Sequence, residues 1–429
     1  MSNSQKNFKK YLLYKNKYLK LQKAGNPGKI GFSDLNNDSK SVISSLLRYG
    51  DAASLSLTDK ETRKAVSTYN ECDMKPMQNM SLRTWALTFP NATCINLYNR
   101  NDVIDDDFQY LNNIEKLYIR NCKHISDKSF KYLINLEELT IISCNRIKNN
   151  GFANLIKLKT LKLFECYKIT DDIFKYLPEL EVLDNDNSIK INYNSLVCLN
   201  KLKKLIIQSG DTLSDNIFQN LINLEELIIE NYLHITNNPL KYLINLKKLE
   251  ITDAQIDDDT FLNLTKLEEL KIESGYNRYR IADNSLQNLV NLKKLTLNSY
   301  HNQITDNIYK NLPKLEELNI ISCDIKGSFF QTLINLKKIY LLYCNQIMDD
   351  SFHNLINLKE LIINNNYKIT DDAFKNLINL NKLELISCDQ VTDVALENLI
   401  NIEELNIYDC ENITNREFPH LINLKKLIL

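Results

Sequence analysis

The chain has 429 residues, of which 44% are hydrophobic and 25% are charged, which is an ordinary composition for a soluble protein. The formal net charge of −1 argues against a nucleic-acid or membrane-surface partner, and no run of about 18 apolar residues predicts a membrane span. The N-terminus lacks the pattern of a signal peptide and the ten cysteines contain no CxxC pair, so we expect an intracellular, cytoplasmic protein with reduced thiols.

Residues 1–40 are predicted to form a tail and a linker. Residues 1–24 are rich in lysine and place Phe8, Tyr11 and Leu12 on one face of a short helix, which either binds a surface or packs locally. Residues 25–40 combine glycine, proline, asparagine and aspartate, a composition typical of linkers. The Lys/Tyr/Leu opening resembles a segment found in many proteins of giant DNA viruses, which would imply a location in the host cell.

Residues 41–88 are predicted to form two or three short helices, because Val42, Ile43, Leu46 and Leu47 have helical spacing. Their order resembles an F-box, a helical module that docks the adaptor subunit of cullin-type ubiquitin ligases. The resemblance is carried by Leu35, Leu46, Leu47, Leu55, Ser56, Leu57, Lys60, Arg63 and Val66.

The F-box resemblance implies that Leu46, Leu47, Leu55 and Leu57 contact the adaptor. The segment lacks the usual Leu-Pro opening and carries Thr62 where an aromatic residue is common. As the alternative, the helices only cap the first repeat, since the end of a solenoid needs a cover.

From Phe89 onwards the sequence repeats with a period of about 22 residues, in some fifteen units and a partial last one. The pattern LxxLxxLxIxxC, as in residues 136–144 preceded by Leu133, predicts a short strand with alternate residues inward. Strands on identical paths pair in parallel. The second half, as in residues 169–177, predicts a helix of about two turns with Thr170 as N-cap and Asp171 and Asp172 in its first turn.

This pattern resembles that of leucine-rich repeat proteins over residues 89–429, and its C-x-x-I-T-D-x-x-F form is similar to the cysteine-containing subclass. The resemblance implies an α/β solenoid that is curved, with a parallel sheet on the concave side and short helices on the convex side. The expected domains are therefore the tail and linker 1–40, the helical region 41–88 and the repeats 89–429.

Two further regularities are predicted to be structural. One column holds cysteine, with Asn366 in one repeat, and we expect its side chains to satisfy turn backbone groups; no histidine lies in the column to favour a metal site. From Lys203–Lys204 to Lys337–Lys338, lysine pairs and glutamate pairs before the strands alternate from repeat to repeat, which favours register and solubility. The column members are Cys122, Cys144, Cys166, Cys323, Cys344, Cys388 and Cys410.

The outward strand residues line the concave face, where we expect a protein partner. The first outward residues are largely aromatic, the middle ones are acidic, and the last ones are apolar, as protein-binding patches often are. Alternatively, a β-rich face simply tolerates isoleucine and tyrosine, or the last strand edge contacts another chain. The predicted partner-binding residues are Ile321, Tyr340, Leu342, Tyr343, Ile362, Ile386, Tyr408, Tyr118, Arg120 and Phe164.

The sequence contains no GxxxxGK[ST], GxSxG or HExxH motif, so we predict a non-catalytic protein without cofactor or metal. The predicted function is a scaffold for protein–protein recognition. Its specific form would be a substrate-recognition subunit of a cullin-type ubiquitin ligase. The alternative is a structural or interaction repeat protein with no role in ubiquitin transfer.

Overall fold

The computed structural model describes residues 80–186, 193–213, 218–235, 239–253, 258–273, 283–298, 305–322, 325–415 and 417–429. The predicted tail, the linker and the adaptor-docking leucines Leu46, Leu47, Leu55 and Leu57 lie outside these residues. The chain divides into two compact units, Met1–Ile191 and Asn192–Leu429.

Among its described residues, the first unit contains one α-helix and five parallel strands that pair in chain order. Each pairing shifts the register by 22 residues, so Tyr98 lies opposite Arg120 and Arg120 opposite Ile142. The elements are α1 (Leu82–Thr88), β1 (Cys94–Tyr98), β2 (Lys116–Arg120), β3 (Glu138–Ile142), β4 (Thr160–Phe164) and β5 (Val182–Asp186).

The part of the second unit that the structure describes has the same design, with a short α-helix and eleven strands, again parallel and in chain order. Its elements are α2 (Tyr193–Leu196), β6 (Lys204–Leu213), β7 (Glu226–Ile235), β8 (Lys248–Thr252), β9 (Glu269–Glu273), β10 (Lys294–Asn298), β11 (Glu317–Ile321), β12 (Lys338–Leu342), β13 (Glu360–Asn364), β14 (Lys382–Ile386), β15 (Glu404–Asn406) and β16 (Lys426–Ile428).

The short helices that the sequence predicts are 3₁₀-helices, a type that the repeat pattern did not specify. A 3₁₀-helix rises about 2.0 Å per residue, whereas an α-helix rises 1.5 Å. A 3₁₀-helix therefore spans a given length with fewer residues, which suits a repeat of only 22 residues. They span Asp105–Tyr110, Asp127–Tyr132, Asn149–Asn154 and Asp171–Tyr176 in the first unit, and Pro239–Tyr242, Asp258–Phe261, Asp283–Leu286, Asp306–Asn311, Phe330–Thr332, Asp349–Ser351, Asp371–Phe374 and Asp393–Leu396 in the second.

The core is the stack of repeat leucines, isoleucines and phenylalanines, as the period predicts. In one repeat Leu355, Leu358, Leu361, Ile363 and Phe374 are all buried, with at most 1% of each residue exposed. Burial of each such side chain contributes about 1.5–3 kcal/mol. The leucine-rich repeat solenoid is therefore the fold class of the described residues.

Helix α1 covers the first repeat. Ser81 is its N-cap and accepts a hydrogen bond from the Thr84 backbone N–H, while Leu82 and Trp85 are buried against the repeat. The ring centroids of Trp85 and Phe89 lie 6.0 Å apart. The last part of the predicted helical region, residues 81–88, thus acts as a cap.

Buried thiols connect five repeats to the preceding one, which supports the structural interpretation of the cysteine column in the described residues. The thiol of Cys122 lies 3.4 Å from the carbonyl of Leu97 in the preceding repeat, and that of Cys166 lies 3.5 Å from the carbonyl of Ile141. Burial raises the pKa of both thiols to about 11, so they stay protonated at neutral pH. Cys323 lies outside the described residues.

Two of the described strands, β6 and β7, have ten residues each, whereas β8, β9 and β10 have five, although none of their columns holds cysteine or asparagine. In β6 and β7 the column positions are Gly210 and Tyr232, and these two residues pair as part of a ladder that continues to Leu213 and Ile235.

The alternating charge pairs form ion pairs between neighbouring repeats, as predicted. The Lys204 ammonium lies 2.7 Å from Glu226, and Lys338 lies 2.8 Å from Glu360. Exposed pairs of this kind contribute about 0–1 kcal/mol each, so their main effect is on register.

Candidate functional site

The third and fifth residues of each short strand face outward, and the second and fourth are buried. In β12, Ile339 and Leu341 are buried whereas Tyr340 and Leu342 are half-exposed. The outward residues therefore form two parallel rows along each unit, which is the surface that the sequence predicts for a partner.

The register of the second unit brings the predicted apolar residues together. Tyr340 lies opposite Ile362, and Leu342 lies opposite Ile321 on one side and Asn364 on the other. Asn364 in turn lies opposite Ile386. We call this surface the C-terminal patch; it comprises Ile321, Tyr340, Leu342, Tyr343, Ile362, Ile386 and Tyr408.

Tyr408 joins the C-terminal patch just beyond the end of β15. Its backbone carbonyl accepts a hydrogen bond of 3.2 Å from the Ser387 N–H, which places it beside the residue that follows Ile386. The residue is 59% exposed. One aromatic side chain is thus presented to solvent at this end of the patch.

Tyr343 occupies an unusual backbone conformation at the border of the C-terminal patch. Its φ is +56°, a region in which asparagine, aspartate and serine stand in most other repeats. A bulky residue in the left-handed region costs about 1–2 kcal/mol. The repeat does not require tyrosine there, and the side chain is 51% exposed. The sequence showed the tyrosine, but the period did not reveal its φ.

Charges around the C-terminal patch are neutralised by one another. The Tyr340 hydroxyl donates a 3.0 Å hydrogen bond to Glu360, which also pairs with Lys338 at 2.8 Å. Burial raises the pKa of Tyr340 above its usual range, so the hydroxyl remains a donor. Glu384 pairs with Lys382 at 2.7 Å. The apolar side chains of the patch therefore share its surface with Asn364 and with polar groups that are paired, such as Glu360 and Glu384.

The acidic middle zone is less acidic than the sequence indicates. Glu250 lies 2.7 Å from the Lys248 ammonium, and Glu273 lies 2.9 Å from that of Lys271. These lysines belong to the same strands as the glutamates. The zone is thus largely balanced in charge at these positions.

The first unit brings together only part of its predicted site. Arg120 and Phe164 share one outward row with Tyr98 and Ile142, and the Arg120 guanidinium carbon lies 5.4 Å from the Tyr98 ring centroid. Tyr118 lies in the other row, opposite Asn96 and Thr140.

A row of exposed isoleucines was not predicted. Each follows the leucine that opens a repeat, and an asparagine after it bonds to the preceding repeat; Asn379, for example, donates to the carbonyl of Ile356. The Leu-Ile-Asn triplet that recurs in the sequence is the signal from which this row could have been predicted. Its last five members are Ile334, Ile356, Ile378, Ile400 and Ile422, all more than half exposed.

Among the described residues, no group of three His, Cys, Asp or Glu side chains is placed to hold a metal ion. Within the same residues, no helix is long and apolar enough to cross a membrane. The outward surfaces therefore remain the candidate sites.

Family comparison decides the classification of the repeats. The model for BspA-type leucine-rich repeat regions matches six copies over residues 81–181, 146–263, 233–350 and 345–429. The chain belongs to this leucine-rich repeat family. Among curated proteins, none matches the sequence significantly. The cysteine-containing subclass stays a prediction.

Solved structures share the leucine-rich repeat fold at low sequence identity. A leucine-rich repeat protein of Leptospira interrogans has a TM-score of 0.55 and 18% identity over 86% of this chain and 92% of its own. The Drosophila Toll–Spätzle complex has 0.60 and 15%, over 78% of this chain and 50% of the other. The TLR13–ssRNA13 complex has 0.51 and 19%, over 92% and 58%. The chain thus spans 58% or less of the two receptor chains.

Proposed function

We propose that this leucine-rich repeat protein is a non-catalytic scaffold that binds a protein partner through the C-terminal patch. The family membership supports a scaffold for interactions. The observation that carries the choice of surface is the change along the outward rows. The outward residues of β8 and β9 include Glu250 and Glu273. Those of β11 to β14 are mostly isoleucine, leucine and tyrosine, with Asn319, Asn364 and Glu384 among them.

The chemistry of the C-terminal patch fits a protein better than a small polar ligand. Apolar centres with polar borders are the usual anatomy of protein interfaces, and tyrosine is enriched among the residues that dominate their energy. Tyr340 is held by Glu360, so little side-chain entropy is lost when its ring contacts a partner.

Replacing Leu342 and Ile386 with threonine is expected to weaken the partner's binding at least tenfold, because about 1.4 kcal/mol of apolar contact is enough for that factor. Threonine keeps the strand propensity of these positions. The partner is identified by affinity capture from cells and then titrated calorimetrically as a purified protein. Ile378→Thr is the control, since Ile378 is equally apolar but lies in the isoleucine row.

The proposal of the C-terminal patch fails if the double variant binds the purified partner as tightly as the unchanged chain. It also fails if Ile378→Thr weakens binding to the same extent. Circular dichroism of each variant verifies that the repeats remain folded.

As a more specific form, we propose that residues 41–79 dock the adaptor subunit of a cullin-type ubiquitin ligase, supported by the F-box-like leucines. Serine in place of Leu46, Leu47, Leu55 and Leu57 is expected to abolish capture of the purified adaptor by the full chain. The substitutions leave the capping helix α1 intact, unlike a deletion of the whole region. Equal capture by both chains, or none by either, would favour the structural alternative.

A further inference from the structure

A pocket lined by polar side chains lies at the carboxyl ends of β1, β2 and β3. Its volume is about 490 Å³, within the usual range of binding pockets. Asn99, Asn121 and Ser143 line it, and they are the residues that directly follow the three strands. We call it the rim pocket.

The backbone around the rim pocket is held firmly. Asn99, Asn121 and Ser143 all have φ between +51° and +55°, and each donates its N–H to the strand of the following repeat. The Asn101 side chain accepts a 3.0 Å hydrogen bond from the backbone N–H of Lys123. The turns that carry the lining side chains are therefore fixed before any ligand arrives.

Two cationic side chains line the rim pocket. They are Lys123 and Arg146, and both are exposed. Among the described residues, neither the ammonium nor the guanidinium makes an ion pair or a hydrogen bond. In contrast, the guanidinium of Arg100 nearby pairs with Asp102, at 2.7 Å. The rim pocket thus offers donors and positive charge, and none of the residues that line it is acidic.

The rim pocket adjoins the outward row of strand residues that includes Tyr98, Ile142 and Phe164. Tyr98, Arg120 and Ile142 are the last strand residues before Asn99, Asn121 and Ser143, and Phe164 extends their row into β4. A ligand with an anionic group in the pocket would place its adjoining atoms on these side chains.

We propose that the rim pocket receives a carboxylate side chain of an acidic peptide segment, whose neighbouring apolar residues lie on Tyr98, Ile142 and Phe164. An arginine guanidinium binds carboxylates in a bidentate manner, and the asparagine amides supply further donors. This site lies in the first unit and does not depend on the C-terminal patch.

A single carboxylate fits better than a polyanion such as RNA. Acidic residues border the cations, since Glu165 accepts a hydrogen bond from Ser143 and Asp186 closes the same outward row in β5. A chain of phosphates that followed the row would meet these like charges. Within the row itself Arg120 is the one cation, and its guanidinium carbon lies 5.4 Å from the Tyr98 ring centroid.

Panning of the full chain with phage-displayed random peptides, with counter-selection on the Arg146→Glu chain, tests the inference. The surviving peptides are expected to carry aspartate or glutamate beside apolar residues. Their affinity in fluorescence anisotropy should fall at least tenfold with Arg146→Glu and also when the peptide acid is changed to its amide. Lys128→Glu is the matched control, because Lys128 is an exposed lysine of the same unit that does not line the pocket.

The inference is overturned if no peptide survives counter-selection or if the survivors lack an acidic residue. Equal weakening by Lys128→Glu would also overturn it, because only the general charge would then matter. A labelled single-stranded RNA oligonucleotide that binds in an Arg146-dependent manner, more tightly than the peptides, would assign the pocket to phosphate instead. Leu342→Thr with Ile386→Thr should leave peptide binding unchanged, which separates this test from that of the C-terminal patch.

Discussion

Replacing Asp371 with alanine is expected to lower the free energy of unfolding by about 3 kcal/mol, whereas Asp372→Ala should lower it by less than about 0.5 kcal/mol. The two aspartates are adjacent in sequence and begin the same 3₁₀-helix. The two expected changes in the free energy of unfolding differ because the two carboxylates make different contacts, although both residues lie in the first turn.

Asp371 connects its repeat to the next one. Its carboxylate accepts two hydrogen bonds of 2.7 Å from Thr392, one from the backbone N–H and one from the hydroxyl. Hydrogen bonds to a charged acceptor contribute about 1.5–3 kcal/mol each, and loss of the acceptor leaves a half-buried N–H without its partner. Asp349 makes the same pair of bonds to Thr370 in the preceding repeat.

Asp372 instead points to solvent. It is 59% exposed and pairs with the Lys375 ammonium at 2.7 Å within the same helix. Surface pairs of this kind contribute about 0.3–0.5 kcal/mol. Asp372→Ala is thus a matched control, equal to Asp371→Ala in charge and helix propensity change.

Urea titration followed by circular dichroism measures both variants. A loss at Asp371 no larger than that at Asp372 would show that the bonds between repeats contribute little. Thr392→Val removes the hydroxyl but keeps the N–H, so it should lie between the two. A changed slope of the unfolding curve would indicate that the repeats unfold in parts.

The leucine period predicts the strands, because it determines which residues face the core. The sequence also predicted that each aspartate stabilises the helix that it begins. The actual acceptor role joins residues 21 positions apart, as between Asp371 and Thr392, and only the stacked fold brings them together. The repeat pattern likewise predicted short helices without their type, since the path length of the repeat decides the type and residue propensity does not.

The candidate site was predictable in part. Alternation identified Tyr340 and Leu342 as outward residues, and the repeat offset gave their neighbours. The sequence alone did not show the left-handed backbone of Tyr343 or the ion pairs that neutralise Glu250 and Glu273. Both depend on local geometry at the strand ends and on side-chain conformations that the period leaves open.

The second large effect is expected at Asn366, which takes the place of cysteine in its column and is only 1% exposed. Its amide donates to the carbonyls of Cys344 and Ile347 in the preceding repeat, at 2.8 and 3.2 Å. Its oxygen accepts from the backbone N–H groups of Lys368 and Ile369, at 2.8 and 3.0 Å. One side chain therefore satisfies four backbone groups.

Asn366→Ala is expected to lower the free energy of unfolding by about 4 kcal/mol, because each buried backbone group left unpaired costs about 1–3 kcal/mol and water reaches some of them. Asn366→Cys is expected to cost only about 1–2 kcal/mol. The cysteine repeats close the same turn in another way: the Val391 N–H bonds to the backbone carbonyl of Cys388 at 3.2 Å. A thiol at position 366 would allow that turn to form.

Urea titration of both Asn366 variants and of Cys388→Ala measures these effects. The comparison separates the loss of the amide hydrogen bonds from the loss of side-chain volume at a column position. Cys388→Ala should cost less than Asn366→Ala, since the thiol offers only weak hydrogen bonds to the carbonyls of Ile363 and Ile386, at 3.8 and 3.5 Å. If Asn366→Cys destabilised the chain as much as Asn366→Ala, the two turns would not be interchangeable. Each turn conformation would then require its own residue in the column, asparagine in one repeat and cysteine in the others.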